Sequence, residues 1–167
     1  EEIKLNVLAF DENGNFFQDV KARDLVITEN NILHQPASVR RIPANVLIVM
    51  DTGGEMRAVK NLDHTRKAAF GVVDSLRPDD SVAILQYSDR PQIVGEWTNN
   101  KSQAVDAIKR TTFGRRSMFV DALKRATDCL IKTQLDNRQL SMMTDGRDSR
   151  GGAAAKFEQF KRLVVSD

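Results

Sequence analysis

One cysteine, one tryptophan, one tyrosine and two histidines in 167 residues leave several chemistries without material. With Cys129 alone the chain holds no internal disulfide framework. Cys129 falls in an apolar helical pattern with Ala126 and Leu130, which suits a buried, unreactive thiol. His34 and His64 sit in different parts of the chain with no ligand-like partner at metal spacing, so both read as packing or surface residues. Ser88 and Ser141 lack the His–acid company that a nucleophile needs. No apolar run approaches transmembrane length. A net charge of +2, with basic residues dispersed and no basic–aromatic motif, gives no reason to expect nucleic acid. Neither common phosphate-cradle pattern follows Gly53-Gly54. No apolar leader precedes Glu1, so the chain reads as mature or trimmed.

What is present is ordinary globular material, 41% apolar and 29% charged, enough for one good core and a small appendage. The clearest feature is Val46-Leu47-Ile48-Val49-Met50, followed at once by Asp51-Thr52-Gly53-Gly54-Glu55. Five consecutive apolar residues suit a strand buried on both faces of a parallel sheet. Asp51 then stands at the carboxyl end of that strand, where open α/β sheets place their ligands.

Residues 1–43 read as a small β unit of about four short strands, with Asn13-Gly14 and Asn30-Asn31 as turn signals. Its few apolar residues predict that other segments pack on it or complete it. Residues 44–167 alternate strand and helix. Strands are predicted at Val46–Met50, Ser81–Tyr87, Gln92–Trp97 and Gln139–Thr144, and helices at Arg57–Leu76, Asn99–Arg110, Met118–Lys132 and Ala153–Val165. This order predicts an α/β fold, a Rossmann-like doubly wound, mostly parallel sheet with helices on both faces. The Tyr87–Gln92 connection is too short for a crossover helix, so Gln92–Trp97 is expected to run antiparallel beside Ser81–Tyr87 at a sheet edge. Trp97 reads as packing, and Met142 and Met143 as filling of a core strand.

Asp51 and Asp145 end two strands in similar settings, and Ser117 lies in a loop before a helix that reaches the same place. Two acids and a hydroxyl are hard oxygen ligands suited to Mg²⁺. The segments VLIVMDTGGEM, SVAILQYS, GRRSMFVDALKRA and MMTDGRDS, in this order, resemble the von Willebrand factor type A domain. The β unit with its D-x-x-G turn and the segment ARDLVITENN resembles type A-related proteins of acidobacteria and their relatives, which usually carry export signals. The first resemblance implies a metal-ion-dependent adhesion site built from an Asp-x-Ser-x-Ser motif, a loop Thr and a Thr-Asp-Gly motif. It also implies a domain that binds an acidic group of a partner protein, and the second implies an extracellular, periplasmic or cell-envelope setting. Position by position, Asp51 and Asp145 match the family's acids, and Ser117 stands for its Thr. Gly53 and Glu55 replace both motif serines.

A degenerate adhesion site is therefore expected, without a working metal. Arg57, Arg115, Arg116, Arg147 and Arg150 stand in the surrounding loops. One of their guanidiniums is expected to take the ion's space by pairing with a carboxylate, or to meet acidic groups of a partner; solvated loop residues are the plainer reading. The resemblance further implies two more strands after Thr144-Asp145-Gly146, so the α/β domain reads as incomplete at its C-terminal end. Function then divides between a non-enzymatic interaction module, a purely structural piece of an assembly, and a Mg²⁺-dependent phosphoryl-transfer hydrolase using strand-terminal acids. The hydrolase wants a second acid where Gly53 stands and a positioned Lys that no loop offers.

Overall fold

The computed structural model describes residues 3, 5, 7–15, 17, 19–54, 62–133, 135–149, 154–158 and 161. The chain divides into two compact units, Glu1–Arg41 and Ile42–Asp167.

In the first unit β1 (Ile27–Glu29) and β2 (Ile32–His34) form an antiparallel hairpin. Asn30 and Asn31 adopt φ of 51° and 66°, the left-handed pair that a two-residue hairpin turn demands. An earlier turn is held by Asp11, whose Oδ1 accepts from the amides of Asn13 (2.9 Å) and Asn15 (2.7 Å). Among the described residues this unit has two strands where the sequence pattern predicts about four. None of its described residues is buried, so little apolar packing is available to enforce further ladders.

The second unit holds β3 (Asn45–Asp51), α1 (Leu62–Ser75), β4 (Ser81–Tyr87), β5 (Pro91–Thr98), α2 (Lys101–Lys109), α3 (Phe119–Lys132) and β6 (Arg138–Met143), with residues 154–158 helical. The sheet order is β5-β4-β3-β6. β3 runs parallel to β4 and β6, and β5 is the antiparallel edge strand that the short connection predicted. Every residue of β3 is buried.

Side chains alternate along the strands and divide the core into two layers. Val46, Ile48 and Met50 pack with Val82 and Ile84 against Ala69 and Val73 of α1 and Ala104, Ala107 and Ile108 of α2. Leu47 and Val49 pack with Ala83, Leu85 and Tyr87 against Ala122 and Ala126 of α3. Each buried Leu, Ile or Val contributes about 1.5–3 kcal/mol, so β3 is the main hydrophobic element. Trp97 and Met142 pack against the second layer, and Met143 against the first.

Local chemistry sets the element ends. Asn100 Oδ1 caps α2, accepting from the amides of Ser102 (3.0 Å) and Gln103 (3.3 Å). After α1 the buried Asp80 accepts from the amides of Arg77 (2.9 Å) and Ala44 (2.8 Å), tying that turn to the start of β3. No described helix is long and apolar enough to cross a membrane.

Candidate functional site

Asp51 is the last residue of β3 and follows Leu47 and Val49 on the α3-facing side of the sheet. Parallel register sets Asp51 opposite Tyr87, the last residue of β4. Thr144 follows directly on β6, and Ser117 closes the loop that enters α3. Four different segments thus converge on one carboxylate.

Asp51 and Tyr87 are wholly inaccessible and Ser117 nearly so. Asp51 Oδ2 accepts from Tyr87 Oη (2.8 Å), Ser117 Oγ (3.0 Å) and Thr144 Oγ1 (3.3 Å). Asp51 Oδ1 accepts from the amide of Gly53 at 3.0 Å. Tyr87 Oη and Thr144 Oγ1 also lie 2.6 Å apart, and Ser117 Oγ reaches the carbonyl of Arg147 at 3.1 Å. Burial raises the Asp51 pKa above the ordinary carboxylate value, the nearby Asp145 charge adds to the rise, and the Gly53, Tyr87 and Ser117 hydrogen bonds oppose it. Burial likewise pushes the Tyr87 phenol far up, so Tyr87 stays protonated and acts as a donor.

The surrounding loops are stitched together by backbone bonds. Thr52 N donates to Tyr87 O (2.9 Å), Gly114 N to Thr52 O (2.9 Å), Met118 N to Ser88 O (3.1 Å) and Ser149 N to Ser117 O (2.7 Å). Ser117 N in turn donates to Ser149 Oγ at 2.8 Å. Gly53 lies under this lattice, and a Cβ there would overlap the carbonyl oxygen of Arg116. Gly54 turns the chain with φ of 52°.

The other expected site residues are more dispersed. Asp145 is exposed, and its Oδ1 accepts from the amide of Arg147 at 2.9 Å. Arg115, Arg116 and Arg147 are exposed on the rim. Glu55, Arg57 and Arg150 lie outside the described residues. Among the described residues Asp51 is met by three hydroxyls and an amide, and Arg57 and Arg150, two candidates for the expected guanidinium, are not among those residues. Tyr87 and Thr144 are the site residues that sequence reasoning missed. Thr144 was visible inside Thr-Asp-Gly, and Tyr87 as the polar end of a second buried strand.

Mg²⁺ requires near-octahedral oxygen coordination. Here Oδ2 of Asp51 is occupied by hydroxyl donors, Gly53 offers no side-chain oxygen and the space beside it is filled. Among the described residues no group of three or more His, Cys, Asp or Glu gathers into a metal cluster.

Residues 46–147, more than half of the chain, match the family model described as von Willebrand factor type A domain. The chain belongs to the von Willebrand factor type A family. The type A match spans β3 to the loop after β6, which is the segment that builds the site. Over 115 residues the chain is 27% identical to sll0103, an uncharacterized protein of Synechocystis sp., covering 67% of this chain and 27% of that protein. A von Willebrand factor type A protein from Catenulispora acidiphila shares the fold with a TM-score of 0.61 at 16% identity, covering 70% of this chain and 30% of that one. Three N-terminal domains of the type V pili tip protein Mfa5 from Porphyromonas gingivalis match with a TM-score of 0.57 at 17% identity, over 63% of this chain and 20% of that one. The chain therefore spans about a quarter of the length of that Synechocystis protein. Type A domains are, as a family, protein-interaction modules.

Proposed function

We propose that this type A domain binds a protein partner through the loop rim at the carboxyl end of its sheet, without a metal ion. The observation that carries the reading is the Asp51 carboxylate, buried and met by three hydroxyls, beside a Gly53 whose missing side chain is replaced by the Arg116 carbonyl. In this reading no metal-bridged carboxylate from a partner forms there. The exposed Arg115, Arg116 and Arg147 on the rim supply the complementary charge instead, since guanidiniums pair bidentately with carboxylates.

The same reading gives Asp51, Ser117 and Asp145 the frame of a degenerate adhesion site rather than a working one. A hydrolase that used Asp51 would need it open to substrate, and its full burial runs against that. An extracellular, periplasmic or cell-envelope setting goes with the adhesive role, and the similarly folded domains of a pili tip protein support it.

Selection of a displayed peptide library on the full chain tests this. Enrichment of Asp- and Glu-rich peptides, equal in chelator and in Mg²⁺, is expected. Enrichment that requires Mg²⁺, or a set without acidic bias, would overturn the proposal.

A further inference from the structure

We infer that Tyr87 is the positioning residue of this site: with Ser117 and Thr144 it does for the Asp51 carboxylate what a cation would do, and so clasps the rim loops in one arrangement. The inference rests on the metal-independent reading above and adds how the rim is held.

A carboxylate withdrawn from water needs compensation, from a counter-charge or from several donors. Tyr87 supplies the shortest of the three hydroxyl contacts to Oδ2, at 2.8 Å, and it does so from the neighbouring strand in register with Asp51. Hydrogen bonds to an ionised acceptor are stronger than neutral ones. Tyr87 Oη also lies 2.6 Å from Thr144 Oγ1, so a single phenol joins the ends of β3 and β4 to the residue after β6. Ser117 brings in the loop before α3 through the same Oδ2.

The clasp continues outward through the backbone. Thr52 N holds Tyr87 O, Gly114 N holds Thr52 O, and Ser117 and Ser149 exchange two bonds. Arg115 and Arg116 stand between Gly114 and Ser117, two of the clasped positions. Their backbone is thereby fixed while their side chains remain exposed. A partner thus meets a pre-formed face, which lowers the ordering cost of binding.

The test uses Tyr87→Phe in the full chain, which keeps the ring and deletes the hydroxyl. Amide hydrogen exchange is followed at Gly114, Ser117 and Ser149, with Ile48 and Ile84 as internal references. Mg²⁺ and Mn²⁺ titrations by calorimetry run on both proteins, and the Asp51 carboxyl is titrated by carbon NMR. Expected are no saturable metal binding by the parent and roughly tenfold faster exchange at the three rim amides, as befits loss of a buried charge-assisted bond. The references should stay unchanged, and the Asp51 midpoint should rise, because a donor to the charged form is gone. Unchanged rim exchange, or acceleration spread equally over the references, would overturn the clasp and leave metal independence standing. Saturable metal binding by the parent, lost in Asp51→Ala, would overturn the reading beneath it. Should Tyr87→Phe not fold, Thr144→Val deletes the phenol's second partner at nearly constant shape. It should give the same pattern at smaller amplitude, and unchanged or uniform exchange in it counts equally against the clasp.

Discussion

The carbonyl oxygen of Arg116 occupies the space that a side chain at Gly53 would need. Gly53 is therefore part of a packed arrangement, with a loop seated where its side chain would stand. Gly53→Ser should force that loop outward and destabilise the fold by about 1–3 kcal/mol, as overpacking of a filled site does. It should bring no Mg²⁺ affinity. Urea denaturation and calorimetry measure the two effects, and restored metal binding at unchanged stability would refute the steric account.

The raised pKa of Asp51, caused first by burial, has a defined sign in stability. The folded chain holds this proton more tightly than the unfolded chain. Stability from this group is complete below the ordinary carboxylate value of 3.8 and is lost as pH rises through the folded pKa. Asp51→Asn has no such proton. Its stability should therefore fall less steeply with rising pH above about 4 than that of the parent, as denaturation midpoints across the acid-to-neutral range will report. Parallel pH profiles would show that Asp51 carries no perturbed proton.

Asp148 caps the start of α3. Met118 offers no side-chain cap to α3, and Asp148 Oδ2 accepts from the amide of Val120 at 2.9 Å instead. Asp148→Ala should cost about 0.5–2 kcal/mol, the range for loss of a helix cap. Asp148→Asn, which keeps an acceptor, should retain most of it. Equal losses in the two variants would mean that the cap is not what Asp148 contributes.

Arg115 and Arg116 have exposed side chains, so the double reversal Arg115→Glu, Arg116→Glu should change stability by no more than about 0.5 kcal/mol. Binding of the acidic peptides selected on the parent should be lost, together with most of its salt dependence. Retained affinity in a surface-binding assay would move the partner face away from this loop.

Much of this was legible because short-range patterns carry it. The apolar run of β3 announced a buried parallel strand, and the short turn after Tyr87 required an antiparallel β5. Asp51 does end β3, and Asp145 stands just beyond the end of β6. The first unit was less legible, because its short alternating segments bury little and pattern alone overcounts such strands. The hydroxyls that meet Asp51 were not legible, because the reading of that site counted charges along loops. Charge counting has no knowledge of the Arg116 carbonyl or of the volume left beside it.

By itself, the sequence determined the α/β order and the family, since these are written in consecutive residues. Only the tertiary structure decided which side chains meet Asp51. Tyr87 meets Asp51 through parallel register across 36 positions, and Ser117 and Thr144 meet it across 66 and 93. Contacts of that span depend on how strands align and loops close, which no local pattern encodes.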